Sequence, residues 1–197
     1  TDPDGGGAKR TVIATTRTEP QAAPTGCQRY VVPGTGGGDG SVGNPFQGLQ
    51  AAADDAQSGD VFHVSAGTYS PFQLLTSGTT GRPIVFTGPG DGTAIVDGGG
   101  TGRGVVTLGE WDRTIGHVII EGLTIQNGGW GVDAQHSHDI VIRRSVIHDV
   151  DFGIYNRRED GQEYNQTICD NVIEGRTSWP QTEGQIPDEQ VRTIEAE

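Results

Sequence analysis

The sequence contains no methionine, a single lysine and few aromatic residues, which make up 6% of the chain. No apolar run approaches the roughly 20 residues that a membrane-spanning helix requires, so we expect no membrane partner. We find no stretch with the pattern of a secretory signal, and because the chain does not start with methionine we expect its first residue to result from processing or from cloning. Hydrophobic residues reach only 32%, which is low for the core of a conventional globular domain.

The chain also has little positive charge and little cysteine. Its formal net charge is −13. A surface of that sign repels nucleic acid and anionic lipid, so we expect neither as a partner, whereas it attracts divalent cations. The two cysteines, Cys27 and Cys169, are 142 positions apart. They permit one disulfide, and the sequence leaves open whether they meet.

A repeat organises the second half of the chain. Its copies start at Val118, Ile140 and Gln166, at steps of 22 and 26 residues. In each copy β-branched residues two positions apart are interrupted by Gly, Asn or Asp, which is typical of short strands and not of helices. The matching positions are Ile120, Ile142 and Ile168; Ile125, Ile147 and Ile173; and residues 131–133 with 153–155. This period predicts an all-β solenoid, a parallel β-helix with one coil per repeat.

The remaining segments fit around this repeat. Residues 1–26 are rich in Gly, Pro and Thr and are predicted to be a flexible arm. Alternatively, residues 11–16 form a strand that pairs with an open edge of a sheet. Residues 27–197 are predicted to form the β-helix domain, with about six coils beginning near residue 61 and continuing to about 175. Before them, an amphipathic capping helix is predicted over about 45–57, with Asn44 as its N-cap and Pro45 at its first position.

The pattern weakens after Gly175. An exposed last coil would need a polar surface or a cover, and the sequence offers no such cap. We therefore expect the solenoid to be incomplete at its C-terminal end. Either the chain is the N-terminal part of a longer protein, or a second chain or a copy of the same chain completes the stack.

The segment from Tyr30 to Tyr69 carries a resemblance to a known family. It has a strand that ends in Pro-Gly, a glycine-rich loop, Asn-Pro-Phe, a helical stretch, and Ser-Gly-Asp before a strand that ends in Ala-Gly-Thr-Tyr. It resembles the entry segment of right-handed parallel β-helix proteins of the pectate-lyase-like superfamily, and the later HVIIEGLTIQN and HDIVIRRSVIHD are similar to their coils. The resemblance implies a right-handed β-helix and, among several activities, an extracellular protein that acts on acidic polysaccharide.

Uronate lyases of that superfamily pair an arginine or lysine base with Ca²⁺ held by acidic residues. The only lysine, Lys9, lies in the predicted arm, so Arg144 and Arg158 are the candidate catalytic bases that the resemblance implies. His148, which is next to a carboxylate, is a further candidate catalytic residue. The candidate calcium ligands are Asp133, Asp149 and Asp151. The alternatives are solvated arginines at bends, loop histidines and a solvated acidic face.

Candidate substrate contacts lie on the same coils. Rings at Trp130 and Tyr155 could stack on sugar faces or cover the edges of the core. The candidate fork for sugar carboxylates consists of Arg143 and Arg157. Asn165 heads a formal N-glycosylation sequon. Asn171, which aligns with Ser145 and Leu123, is predicted to satisfy backbone groups inside the coil.

Two functions follow from these observations. The first is an extracellular β-helix protein that binds or cleaves acidic polysaccharide across residues 105–160, by β-elimination if it is catalytic. The second is a non-catalytic structural subunit, such as a component of a surface fibre, whose coils stack between copies.

Overall fold

The computed structural model describes residues 20–22, 26–156, 165–176 and the backbone of 194–196, with the side chains of 101–103 excepted. The predicted arm strand at 11–16, and Arg157 and Arg158, lie outside the described residues. One helix, α1, spans Leu49–Asp54. The strands are β1 Cys27–Val32, β2 Phe46–Gln47, β3 Asp60–Val64, β4 Gly67–Tyr69, β5 Phe72–Leu74, β6 Ile84–Thr87, β7 Ala94–Leu108, β8 Ile115–Glu121, β9 Thr124–Asp133, β10 Ser137–Arg143, β11 Val146–Asn156, β12 Thr167–Cys169, β13 Val172–Gly175 and β14 Ile194–Ala196.

The strands stack as the coils of a parallel β-helix, as predicted. One sheet has the order β12-β10-β8-β6-β3-β1-β2, and we call it the first sheet. The second sheet has the order β13-β11-β9-β7-β4. The long strands β7, β9 and β11 bend, so that each supplies a second and a third side of its coil; the bends coincide with shifts in register in β7 and β11. The third sides, here called third legs, are β5, residues 104–108, 130–133 and 152–156, and β14.

The predicted registers are confirmed. Ile120 lies beside Ile142, and Ile142 lies beside Ile168. The corresponding positions in the earlier coils are aromatic, because Phe86 pairs with both Phe62 and Ile120. These side chains point inwards, and Phe62 and Phe86 stack with ring centroids 4.7 Å apart. The core is thus a set of narrow ladders of aliphatic and aromatic residues, which explains why a low hydrophobic content suffices.

The predicted bounds of the helix are wrong. Phe46 and Gln47 form β2, which pairs with β1, and Asn44 closes a turn with Ser41 instead of capping a helix. The helix starts only after Gly48, because the φ of Gly48 is 101°, which lies outside the helical region. The face expected to be apolar is buried, at Phe46, Leu49, Ala53 and Ala56. The helix contacts β1, β2 and β5, and its role as a cap stays a prediction.

Bends within the strands and between them share one backbone conformation. Within the described residues, the non-glycine positions with positive φ fall in three sets that follow the repeat. They are His117, Asp139 and Asn165; Arg144 and Asp170, in line with Gly122; and Asn127 and Asp149. The prediction for Asn171 is confirmed: Ser145 N donates to its Oδ1 at 3.0 Å, and its Nδ2 donates to Ile142 O at 2.8 Å.

The disulfide that two cysteines permit is not formed. Cys27 lies in β1 and Cys169 in β12, five strand positions apart in the first sheet. At about 4.8 Å per strand the two residues are roughly 24 Å apart, far beyond the reach of a disulfide. In the described part of the chain, no helix is long and apolar enough to cross a bilayer.

Candidate functional site

The third legs of β7, β9 and β11 form the surface on which the predicted polysaccharide contacts meet. Alternation along each strand turns Val106, Val132 and Ile154 into the core. The next residue of each strand points outwards, and the register places Thr107 beside Asp133 and Asp133 beside Tyr155. We call this surface the third-leg face.

Aromatic rings cover part of the third-leg face. The rings of Trp130 and Tyr155 are nearly parallel, with centroids 5.0 Å apart and planes inclined by 8°. Phe152, the strand partner of Trp130, lies 5.5 Å from Tyr155 at a tilt of 59°. Trp130 and Tyr155 were both predicted as substrate contacts, and the fold brings them together. Both rings are only partly buried, so this cluster offers apolar surface on which a sugar ring can stack.

Asp133 lies on the same face but is largely buried, with 9% of its surface exposed. Its Oδ1 accepts hydrogen bonds from the backbone N of Gln135 at 3.3 Å and from Gln135 Nε2 at 3.2 Å. Burial raises the pKa of Asp133, against the lowering effect of these hydrogen bonds and of nearby His136. The protonated form is therefore favoured relative to an ordinary aspartate, which weakens the case for Asp133 as a cation ligand.

A polar row borders the third-leg face on the second legs of the coils. Its members Asp97, Gln126 and His148 pair in register across β7, β9 and β11. Gln126 Nε2 donates to Asp97 Oδ2 at 2.8 Å, and Asn127 Nδ2 donates to Asp97 Oδ1 at 3.0 Å. Burial alone would raise the pKa of Asp97, but these hydrogen bonds, one from the backbone of Gly99 and the charge of His148 hold that pKa below its usual range. The row is therefore anionic at neutral pH.

His148 forms a pair with the carboxylate of its neighbour Asp149. Its Nδ1 lies 2.8 Å from Asp149 Oδ2. A neutral imidazole that donates through Nδ1 carries its lone pair on Nε2, so the pair can accept a proton at Nε2. His148 is partly exposed, with 29% of its side chain accessible. The pair therefore has the geometry of an oriented general base.

The predicted arginines have different surroundings. The Arg143 side chain is buried, its Nε is 2.6 Å from Glu121 Oε2, and its Nη1 donates to the carbonyl of Pro20. Arg144 is half-exposed, and its Nη1 is 3.4 Å from the same Glu121 oxygen. Arg143 thus holds parts of this chain together, which argues against a direct role in binding sugar carboxylates. Arg144 is accessible to a ligand, and the roles of both as predicted from the sequence stay predictions.

The three candidate calcium ligands are not gathered at one point. Asp149 pairs with His148, and Asp151 Oδ1 is 2.6 Å from Nε of Arg176. Among the described residues there is no group of three or more His, Cys, Asp or Glu side chains placed to hold a metal ion. Asp133, Asp149 and Asp151 therefore do not fit a shared Ca²⁺ site in this structure. Asn165 is exposed at the surface, and its Nδ2 donates to Asp139 Oδ1.

Three residues of this region were not predicted from the sequence. Asp97 and Gln126 complete the polar row, and Arg176 links Asp151 to the carbonyl of Gly128 at 2.8 Å. The 22-residue step from Gln126 to His148 would have placed Gln126 in the row. No comparable signal marks Asp97. It lies 29 residues before Gln126, because the coil between them is longer than the 22-residue repeat.

Comparison with known proteins supports the fold. No family model matches the chain. The sequence is 32% identical over 126 residues to pectate lyase PEL9 of Emericella nidulans, an alignment that covers 55% of this chain and 31% of that protein.

Two solved structures are similar to this chain. An alginate lyase from Paenibacillus sp. str. FPU-7 superposes with a TM-score of 0.52 and 23% identity, over 64% of this chain and 41% of that one. A GH136 lacto-N-biosidase from Eubacterium ramulus superposes with a TM-score of 0.58 and 18% identity, over 78% of this chain and 35% of that one. The chain thus spans between about a third and two fifths of the length of these proteins. Together with the stacked parallel coils, these similarities show that the chain folds as a pectate-lyase-like parallel β-helix.

Proposed function

We propose that this chain belongs to an extracellular protein that binds acidic polysaccharide across the third-leg face and cleaves it by β-elimination. The names of two of the similar proteins, a pectate lyase and an alginate lyase, support an acidic polysaccharide as substrate. The chain covers less than half of each, so the activity of the whole protein is part of the proposal.

One observation carries the proposal. The stacked pair Trp130–Tyr155 lies on the third legs of β9 and β11, and the second legs of the same two strands carry Gln126 and His148 of the polar row. Phe152, which contacts Tyr155, is four positions from His148 on β11. Four residues of strand span at most about 14 Å, so a saccharide of a few units can contact the rings and reach the imidazole together. Apolar rings that bind a sugar, placed beside an oriented base, are what a lyase requires.

The reaction is assigned to His148 and not to Arg144 on chemical grounds. A guanidinium stays protonated in proteins, whereas a neutral imidazole accepts a proton readily near neutral pH. Nε2 of His148 takes the proton on the carbon next to the uronate carboxylate. The electrons of that C–H bond form a carbon–carbon double bond, and the bond to the glycosidic oxygen breaks. That oxygen leaves with a proton from solvent or from the imidazolium. Arg144, with its fixed positive charge, is better suited to pairing with the substrate carboxylate.

The product assay tests this assignment. Incubation with a panel of uronate polymers, with Ca²⁺ or with a chelator, should yield unsaturated oligosaccharides that absorb in the ultraviolet. His148→Gln keeps a polar side chain but loses the proton acceptor, so we expect its rate to fall by about 10² to 10⁴. His63→Gln on β3 in the first sheet is the matched control and should retain activity. Absence of product with every polymer, or full activity of His148→Gln, would overturn the proposal. The chelator arm tests the predicted dependence on calcium.

A second function is favoured by a different observation. In the last described coil, Val172 is 51% exposed, and Ile168 and Ile173 are only partly buried. A structural subunit whose coils stack on those of a neighbouring chain would cover these residues. Filaments in the electron microscope that Val172→Lys abolishes, together with inactivity on every polymer, would favour this structural function over the lyase.

A further inference from the structure

A groove of about 350 Å³ lies on the outer surface of the first sheet, on a different sheet from the third-leg face. Ile119 and Val141 contribute apolar surface to it. The polar residues that line it include Thr79, Thr80, Asn165 and Asp139. The groove thus combines apolar contact with donors and acceptors, as sites for small polar ligands do.

One wall of this groove is the segment 20–22. Pro20 and Gln21 line the groove, and Arg143 Nη1 donates to Pro20 O at 2.9 Å. Ala22 packs against a row of apolar side chains that point outwards from the first sheet and are nevertheless buried. These residues are Val61, Val85, Ile119 and Val141. The wall is therefore fixed in place by a hydrogen bond to a buried arginine and by apolar packing.

Asp139 is the charged group of the groove, and its neighbours orient it. Its Oδ2 is 2.8 Å from His138 Nδ1, and its Oδ1 accepts a hydrogen bond from Asn165 Nδ2. Burial would raise the pKa of Asp139, but these two hydrogen bonds and the charges of His117 and His138 hold it below the usual range. The carboxylate is thus ionised and preorganised.

The position of His138 depends on a glycine. The imidazole lies over Gly116, its register partner on β8. A Cβ at residue 116 would be 2.2 Å from Cε1 of His138, so any other residue there would push the ring away. His117 approaches His138 edge-on, with ring centroids 5.8 Å apart. The sequence at this point is therefore fitted to holding the imidazole against Asp139.

We propose that this groove is a second carbohydrate site, which binds a neutral, hydroxyl-rich sugar through Asp139. Each carboxylate oxygen can accept more than one hydrogen bond, so both can accept sugar hydroxyls in addition to their present donors. The carboxylate and the net charge of −13 both disfavour a uronate in this place. Asp139 is the binding residue, whereas His138, Gly116 and Arg143 are positioning residues. The site is independent of the proposed lyase activity, because it shares no residue with the third-leg face.

Titration of the full chain, produced without N-glycosylation, tests this site. Neutral trisaccharides (mannotriose, cellotriose and galactotriose) and trigalacturonate are added while NMR follows the ring protons of His117. We expect at least one neutral trisaccharide to shift these signals with a measurable Kd, and trigalacturonate to bind at least about tenfold more weakly at this site. Failure of all three neutral sugars to bind, or equal binding of trigalacturonate in the groove, would overturn the proposal. His148→Gln should leave the titration unchanged, so the result does not depend on the lyase assignment.

Variants separate binding from positioning. Asp139→Ala should weaken binding by about 10- to 100-fold, because a charged acceptor is lost, while Asp112→Ala at an exposed bend should not. His138→Gln keeps a donor for Asp139 and should bind within about threefold of the wild type, whereas His138→Leu should bind clearly more weakly. Equal binding by Asp139→Ala and the wild type would contradict the proposal, as would equal loss in His138→Gln and His138→Leu. Thermal melting of each variant shows whether it is folded.

Discussion

Two aspartates on neighbouring coils illustrate how the same side chain serves different purposes. Asp97 accepts hydrogen bonds from Gln126, Asn127 and the backbone of Gly99, and its pKa is lowered despite partial burial. Asp133 is more deeply buried, and desolvation outweighs its hydrogen bonds and raises its pKa. The balance between desolvation and donated hydrogen bonds decides the direction in each case. In the polar row, the ionised form of Asp97 is therefore favoured, whereas on the third-leg face the protonated form of Asp133 is favoured relative to an ordinary aspartate.

These directions predict opposite effects of pH on two variants. A carboxyl group whose pKa is lowered by folding stabilises the folded protein above about pH 4, the pKa of a carboxyl in the unfolded chain. This stabilisation is lost as the pH falls. Asp97→Asn should therefore lose stability relative to the wild type as the pH rises from 3 to 7. A carboxyl group whose pKa is raised by folding destabilises the folded protein as the pH rises. Asp133→Asn should therefore gain stability relative to the wild type over the same interval. Urea unfolding at several pH values measures both, and trends of the same sign in the two variants would refute this explanation.

A single glycine shows how closely the coils approach each other. A Cβ at Gly131 would lie 2.5 Å from Gly153 O and 2.5 Å from Cγ2 of Ile147. We expect Gly131→Ala to lower the free energy of unfolding by about 1–3 kcal/mol, as overpacking does. Gly43→Ala is the control, because its Cβ would meet nothing within 4 Å. Equal stability of the two variants in urea unfolding would show that neighbouring third legs leave room for a methyl group at residue 131.

At the scale of single elements, the short helix α1 compensates for a missing neighbour of β5. Gln50 Nε2 donates to Gln73 O at 3.1 Å, and Gln73 N donates to Gln50 Oε1 at 2.9 Å. The side-chain amide of Gln50 thus takes the place of a strand backbone at one residue of β5. A helix that packs there can end the sheet without leaving these backbone groups unpaired.

The amide of Gln50 should therefore matter more than its exposure suggests. Gln50→Ala leaves the backbone N–H and C=O of Gln73 without their partners, so we expect a loss of about 1–3 kcal/mol in the free energy of unfolding. Gln57→Ala removes an exposed amide of the same kind and should cost far less. Hydrogen exchange at Gln73 N provides a second readout, and unchanged protection there in Gln50→Ala would contradict this role.

Sequence patterns predicted the elements that obey the repeat and missed those that depend on contacts between coils of unequal length. The isoleucine ladders and the amide of Asn171 follow from steps of 22 and 26 residues, because parallel strands in register place equivalent residues side by side. The start of α1 was misplaced because Phe46 and Gln47 pair with β1, a long-range contact that outweighs the favourable N-terminal position of Pro45. The link from Gln126 to Asp97 lies across an irregular coil that no fixed period reveals.

For the whole molecule, the narrow ladders of the core leave function to the outer surface. On the first sheet, Ala22 covers the outer apolar row. The third-leg face carries the aromatic cluster, and the polar row runs along the border of this face. The two surfaces differ in chemistry, since one is rich in rings and the other presents an oriented carboxylate in a groove. A β-helix can hold several such surfaces at once, because the sides of each coil face in different directions.

We propose that acidic polysaccharide contacts the third-leg face, and the stacked pair Trp130–Tyr155 in particular. Affinity electrophoresis in gels containing a uronate polymer tests it without requiring catalysis. Trp111, which is 86% exposed on another bend, supplies the matched control. We predict that the wild type and Trp111→Ala are retarded equally, and that Trp130→Ala migrates as it does in a gel without polymer. Equal retardation of Trp130→Ala and the wild type would contradict the claim.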